Sequence, residues 1–264
     1  MRGEENYLFI DGAYLREVYR KNIAEFFGVA GDIDFDSIRR SVGAIRAFYY
    51  DCLDDVRRAN ESEADLQRRL CDQEDILSKI KSLTGFHLRL GTLSGSHKRL
   101  RQKQVDVMLA VEMLTHAFHK HMKQATLIAG DLDFKPIVDA LVDLGTWVTV
   151  SCEPASAAED LYSAADQRCV INLRKLYEWS SEAFRGHYQI PLVQGGTKAP
   201  TGLTVLRKGR LKGSPAAIYK SGNGFLFSAE GESRAASLSA LYDDLPKLEK
   251  YLEMVHGRVE WDPS

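Results

Sequence analysis

Ala125-Thr-Leu-Ile-Ala-Gly-Asp131-Leu-Asp133-Phe134 joins an apolar run to a glycine and then to two carboxylates separated by one residue. The run is short and continuous, as a strand buried on both faces of a parallel sheet requires. Its acids fall at the carboxyl end, where open α/β sheets carry their sites. Tyr7-Leu-Phe-Ile-Asp11-Gly12 ends the same way, and Val105-Asp106-Val107 opens a long apolar-periodic segment. Acids from distant segments gathered at one sheet edge repel one another unless a divalent cation sits among them.

Strand and helix signals alternate around these segments. Strands are predicted at Tyr7–Ile10, Ala44–Tyr50, His87–Leu90, Ala125–Ala129 and Thr146–Ser151. Helical patterns cover Tyr14–Phe27, Glu61–Leu83, Val105–His121, Lys135–Leu144 and Ala157–Ala165. The alternation predicts an α/β fold with a parallel sheet covered by helices on both faces. The helix Val105–His121 is apolar over much of its circumference, which predicts that it is sandwiched. Asp106 is expected in its first turn, with Glu112 roughly on the same side.

A second region follows. Pro191, Gly195-Gly196, Pro200 and Gly202 punctuate residues 186–202, which read as a linker between a domain of residues 1–185 and a small α+β appendage of residues 203–264. In the appendage, Leu203–Arg207, Ala216–Lys220 and Gly224–Ser228 read as strands, Ser221-Gly-Asn-Gly224 as a hairpin turn, and Leu238–Val255 as a closing helix.

The formal net charge of −2 carries no global nucleic-acid signature, and 44% hydrophobic content supports a sizeable core. The four cysteines form no C-x-x-C, which argues against a disulfide framework or zinc module and for a reducing cytoplasm. Cys52 and Cys71 read as core fillers. No apolar stretch approaches the ~18 residues of a membrane span. Met1-Arg-Gly-Glu-Glu runs straight into a strand and leaves no room for a signal peptide. The expectation is a cytoplasmic protein without membrane association.

Phe9-Ile-Asp11-Gly, Lys103-Gln-Val-Asp106-Val-Met-Leu-Ala-Val-Glu-Met-Leu, and Leu127-Ile-Ala-Gly-Asp131-Leu-Asp133-Phe occur in that order, followed by Leu161-Tyr-Ser-Ala-Ala-Asp166. In order and approximate spacing they resemble the NYN domain family, a branch of the PIN-like metal-dependent ribonucleases, over roughly residues 5–180. The resemblance implies a three-layer PIN-like (flavodoxin-like) fold and hydrolysis of RNA phosphodiesters with Mg²⁺ or Mn²⁺. It also implies a catalytic, metal-binding acidic cluster at Asp11, Asp106, Asp131 and Asp133. Many relatives have Asp where this chain has Glu112, so that longer side chain is read as a structural or outer carboxylate.

The residue chemistry points the same way. Hard oxygen ligands suit Mg²⁺, which takes few protein carboxylates and keeps several waters. A bound cation supplies an activated water, and no Ser/His/Asp or Cys/His set is needed or evident. Lys103, three residues before Asp106, is placed to meet a phosphate oxygen, with His97, Lys98, Arg99 and Arg101 on the same loop to hold the RNA backbone. Each acid also has a plainer role open to it. Asp11 suits a strand-end cap, Asp133 a helix N-cap, and Asp106 a first-turn acid favouring the helix dipole. His116, His119 and His121 sit at a polar helix end without a nearby Cys and read as surface residues rather than zinc ligands.

From Ala183 to Ala229 there is no Asp or Glu, while Arg185, Lys198, Arg207, Lys208, Arg210, Lys212 and Lys220 are all basic. Tyr219, Phe225 and Phe227 are interleaved as a stacking platform would require, but these rings are expected to pack on the closing helix instead. The loop Arg207–Lys212 is the better candidate for electrostatic RNA contact. The appendage also offers a surface for a protein partner or a homo-oligomer. The leading function is a metal-dependent endoribonuclease. Its alternative is a catalytically inactive PIN-like module that binds RNA or protein. A phosphatase of the HAD type is rejected, because its Asp-x-Asp belongs to the first strand, which here ends Asp11-Gly-Ala.

Overall fold

The computed structural model describes residues 5–263 except 54, 56, 58, 92–97, 196–199 and 232–236, and over 98–103 the backbone alone. Two compact units result: Met1–Arg20 with Ile33–Ile171, and Lys21–Asp32 with Asn172–Ser264.

The first unit is built on six parallel strands: β1 (Asn6–Asp11), β2 (Arg46–Asp51), β3 (Phe86–Leu90), β4 (Gln124–Ile128), β5 (Trp147–Cys152) and β6 (Gln167–Val170). Helices α1 (Gly12–Phe27, of which residues 12–20 belong to this unit), α2 (Phe35–Ser41), α3 (Glu63–Ser82), α4 (Lys98–Phe118), α5 (Lys135–Asp143) and α6 (Glu159–Ala164) alternate with them. Successive strand residues point to opposite faces, and both faces are buried. Tyr7, Phe9, Phe48, Tyr50 and Leu127 join one core cluster, while their neighbours Leu8, Ile10, Ala47 and Tyr49 are also fully buried. That is why these strands read as unbroken apolar runs.

The strand order is β3-β2-β1-β4-β5-β6. The chain winds outward from β1 to β3, crosses back through α4, and continues on the other side of β1. The direction of winding therefore reverses between β1 and β4, which pair from Asn6↔Gln124 to Ile10↔Ile128. The crevice at their carboxyl ends is the switch point at which open α/β sheets bind ligands.

Two elements of this unit lack a strong sequence signal. The edge strand β6 is mostly exposed and shows no clear apolar alternation. The short α2 is set by Asp34, whose side chain accepts from the Ser37 amide. Cys71 is exposed rather than a core filler.

Helix α4 corrects the sequence expectation in two ways. It begins at Lys98, so Asp106 lies beyond the first turn, and the macrodipole has faded there. It is also not sandwiched. Val105, Leu109, Met113 and Ala117, four residues apart, form its buried stripe, while Val107, Val111 and Phe118 are 61%, 56% and 73% exposed. The sheet covers one face of the helix, and apolar residues occupy the outer face as well.

In the second unit, α7 (Leu173–Glu178) and α8 (Glu182–His187) precede an antiparallel sheet. Its strands are β7 (Leu192–Gly195), β8 (Thr204–Leu211), β9 (Ser214–Ser221), β10 (Gly224–Ala229), β11 (Leu238–Tyr242) and β12 (Val259–Trp261), in the order β12-β8-β9-β10-β11-β7. The expected linker is displaced, because β7 pairs with β11 and makes residues 192–195 an edge strand. The packing boundary falls instead after Ile171. The expected closing helix is also divided. Leu238–Tyr242 is β11, and α9 (Leu245–His256) starts only after Asp244, whose side chain accepts from the Lys247 amide, with Pro246 in the first turn. The helix lays Leu248 and Leu252 on Ile218, Phe227 and Ala240, a small core that sets the inner face of the sheet. No described helix in either unit is long and apolar enough to cross a membrane.

The one-sided burial of α4 predicts a sharp contrast between two of its positions. Met113→Ala should cost about 2–5 kcal/mol in urea unfolding, whereas Val107→Ser should change stability by no more than about 0.5 kcal/mol. Equal losses at both positions would restore the sandwiched helix.

Candidate active site

Each acid reaches the switch point by a different local device. Asp11 is the last residue of β1, and its Oδ1 accepts the Tyr14 amide at 3.1 Å, so the carboxylate both ends the strand and caps α1. Asp131 does not end β4, which stops at Ile128. It follows Ala129-Gly130 and caps a single 3₁₀ turn, accepting the Asp133 amide at 3.0 Å. The capping role expected of Asp133 thus belongs to Asp131, and Asp133 lies exposed in the turn. Asp106 arrives from the third turn of α4 and is half-buried.

Tyrosines fix the backbone beside two of these acids. A β-carbon on Gly12 would lie 2.5 Å from the Tyr49 ring, and one on Gly130 would lie 2.4 Å from the Tyr14 ring and 2.9 Å from the Ser156 carbonyl oxygen. Only glycine lets these turns sit directly on the rings. Tyr14 is anchored at its far end, where its hydroxyl accepts the Glu153 amide at 2.8 Å and meets Ser156 Oγ at 3.2 Å. Burial raises its pKa to about 12, so it remains a neutral prop.

Charge separates the acids of this edge into two groups. Asp51, at the end of β2, is buried and bound by both guanidinium nitrogens of Arg16, which also donates to the Tyr49 hydroxyl at 2.9 Å. Glu112 accepts from Arg89 at 2.9 and 2.7 Å and from the Tyr50 hydroxyl at 2.7 Å. Burial alone would raise the Glu112 pKa, but the bonds from Arg89 and Tyr50 outweigh it and hold the carboxyl below its ordinary value. Six residues carry Glu112 about a third of a turn away from Asp106 around the helix. It therefore does not share that residue's side, and its role is structural.

The other group is uncompensated. Among the described residues, no salt bridge reaches Asp11, Asp106, Asp131 or Asp133. Burial and then the charges of Asp11, Asp131 and Asp133 push Asp106 up to about 6. Burial also raises Asp11, with Asp131 adding to the rise, against the amides of Tyr14 and Ala13 and the charge of Arg16. The four predicted acids thus share one electrostatic field, although among the described residues no three His, Cys, Asp or Glu side chains gather into a ready metal-holding set.

The remaining expectations divide. His97 lies outside the described residues. Lys98, Arg99, Arg101 and Lys103 belong to the first turns of α4 rather than to a loop, and their side chains are not among the described ones. Asp166 is structural: its Oδ2 accepts the Val148 amide at 2.8 Å, at the amino end of β5 and so at the opposite edge of the sheet. Arg16, Tyr14 and Asp51 were missed. Asp51 carries the same mark as Asp11, an acid closing the apolar run Phe48-Tyr-Tyr.

In the second unit, Arg207–Leu211 is strand rather than loop, and its alternation splits the basic cluster. Arg207 is held by Glu249 at 2.5 Å and lies over the Trp261 ring. Lys208 and Arg210 line a shallow cleft with Tyr219, Glu230 and Asp262, and Lys212 occupies the following turn. Phe227 is fully buried and Phe225 joins its core, so the interleaved rings form no common platform.

A parallel α/β sheet with acids unpaired at its switch point has the architecture of a PIN-like nuclease domain. The chain matches the NYN domain family over residues 7–172, more than half its length, and belongs to that family. No curated protein matches it. A solved structure of a protein of unknown function from Vibrio parahaemolyticus is similar at 17% identity over 67% of this chain and 96% of that one, with a TM-score of 0.46. A likeness at that level bears on no functional residue.

The raised acids make stability pH-dependent with a defined sign. Asp106 ionises at its ordinary 3.8 in the unfolded chain but only near 6 in the fold. Between those values the folded state holds a proton that the unfolded state has lost, so stability falls as pH rises through that window. Asp106→Asn should make this fall shallower and stabilise the metal-free protein at pH 7–8 by about 1 kcal/mol, a figure reduced for solvent screening. Urea unfolding in EDTA across pH 4–8 measures it, and a variant that loses stability at pH 8 would contradict the shared field.

Proposed function

We propose that this NYN-family protein is a metal-dependent ribonuclease that hydrolyses RNA phosphodiesters, as an endonuclease, at the cluster Asp11, Asp106, Asp131 and Asp133. The observation that carries the reading is the division of acids at one edge. Asp51 and Glu112 have cationic partners, while among the described residues no salt bridge reaches the other four, and the charges of Asp11, Asp131 and Asp133 act on Asp106. Unpaired carboxylates in mutual repulsion make a poor structural feature and a suitable cradle for a cation.

The donors fit Mg²⁺ or Mn²⁺ in kind: they are carboxylate oxygens without sulfur or imidazole. Asp11 and Asp131 are the better-fixed holders, because backbone amides orient both. Asp106 and Asp133 complete the negative field. A cation held there would supply a water of lowered pKa and would stabilise charge growing on the phosphate oxygens. The chain itself supplies position. Tyr14 and Tyr49 hold the two glycine turns, and Arg16 keeps Asp51 out of the field.

Lys103, Arg99 and Arg101 remain proposed RNA contacts through their place on α4 ahead of Asp106. In the second unit, Lys208, Arg210 and Lys212 are the proposed electrostatic contacts, whereas Arg207 is largely committed to Glu249 and Trp261.

The test uses the purified full chain with single-stranded and structured RNA. Cleavage should require Mg²⁺ or Mn²⁺, stop in EDTA, and fall at least a hundredfold in Asp11→Asn and Asp131→Asn with the fold retained by circular dichroism. If both variants cleave at the wild-type rate, the site is wrongly placed. If the wild type binds RNA but never cuts it, the protein is a binding module. Reversing Lys208 and Arg210 to Glu should weaken RNA binding and lower its salt dependence by roughly one unit of slope for each phosphate left without a cation. Unchanged affinity in filter binding would remove the second unit from RNA recognition.

A further inference from the structure

Helix α4 ends in a left-handed cap. Lys120 has φ 55, a conformation that glycine usually supplies. The His121 amide donates to the His116 carbonyl at 2.9 Å, and the Lys120 amide to the Ala117 carbonyl at 2.9 Å. This pair of bonds folds the residue after the cap back over the last turn, where two apolar side chains commonly meet. Here both are histidines. The backbone therefore places His121 against His116, and their Nδ1 atoms stand 3.3 Å apart.

That distance suits a chelate. Two nitrogens bound at about 2.0–2.1 Å to one tetrahedral ion stand about 3.3–3.4 Å apart. The far side of His116 is arranged for the same purpose. Its Nε2 is buried without a hydrogen-bond partner and lies 3.8 Å from Glu112 Oε1. With its proton on Nε2, facing the carboxylate, His116 turns a lone pair on Nδ1 towards His121. A carboxylate behind a histidine is the usual outer support of a metal-binding imidazole, and Glu112 is itself fixed by Arg89 and Tyr50. The His116 ring is held among Tyr7, Phe9 and Phe48. His119 is exposed beside His121, with ring centroids 5.4 Å apart.

We propose that His116 and His121 chelate a borderline divalent ion of the zinc type, with water completing its shell and Glu112 orienting His116. The site is distinct from the acidic cluster: ten residues separate His116 from Asp106, about 15 Å along the helix. Imidazole nitrogens select a different ion from the hard oxygen donors at the sheet edge. The histidines that read as plain surface residues in the sequence are brought together by a backbone motif that spacing alone does not reveal.

The proposal is tested on the full chain in an Asp131→Asn background, which weakens the acidic cluster as a competing site. Titration with ZnCl₂ at pH 7.5, followed by calorimetry and imidazole nitrogen NMR, should show one ion per chain with shifts at the Nδ1 atoms of His116 and His121. MgCl₂ should produce no such shifts. His121→Ala and the bulkier His121→Gln should each weaken Zn²⁺ binding at least tenfold while leaving the circular dichroism spectrum unchanged. Zn²⁺ binding that both variants retain at full strength would overturn the proposal, as would its absence from the parent. In that case the 3.3 Å contact is an N–H···N hydrogen bond only.

Discussion

Like-charge repulsion among Asp11, Asp106, Asp131 and Asp133 is the constraint around which the first unit is arranged. A parallel sheet that winds outward from β1 in both directions must open a crevice between β1 and β4. The chain fills that crevice with acids, and burial makes the ionisation of Asp11 and Asp106 more costly. The sheet is secured lower down by apolar strands buried on both faces and by the stripe Val105, Leu109, Met113 and Ala117 of α4.

The neighbouring residues limit the cost and sharpen its use. Arg16 and Arg89 neutralise the two acids that would otherwise add to the field, so Asp51 and Glu112 become struts. Tyr49 and Tyr14 occupy the space that side chains at Gly12 and Gly130 would need, which leaves the acid-bearing turns little freedom to move apart. Preorganisation of this kind lets a charged site act without first rearranging. The repulsion also explains why removing a carboxylate from the cluster should stabilise the chain, since unpaired like charges work against the folded state.

The sheet, and the acids set at its edge, were largely legible because they rest on local signals. The apolar run closed by Asp11 marks the end of β1, the run ahead of Asp131 marks β4, and the alternation of strand and helix gives the architecture. What was missed depends partly on contacts distant in sequence and partly on a local cap hidden inside an apolar pattern. The exposure of Val107 and Val111 follows from what the sheet covers. The split between β11 and α9 lies in the cap at Asp244, which an apolar count over residues 238–255 overlooks. The basic cluster of the second unit looked coherent in one dimension, but strand alternation sends Arg207 and Lys208 to different surroundings.

The crossover through α4 has a consequence for the order in which the site comes into being. Its acids come from positions 11, 106, 131 and 133, so most of the chain of the first unit must be made before the first acid can be joined by the others. Closing so long a loop is slow compared with forming α1 or the β1–β2 pair. During vectorial synthesis the cluster cannot assemble until β4 has emerged and docked beside β1. Nascent and truncated chains thus carry the sheet's beginnings without its concentrated charge. Whatever chemistry that charge supports is withheld until the first unit is nearly complete.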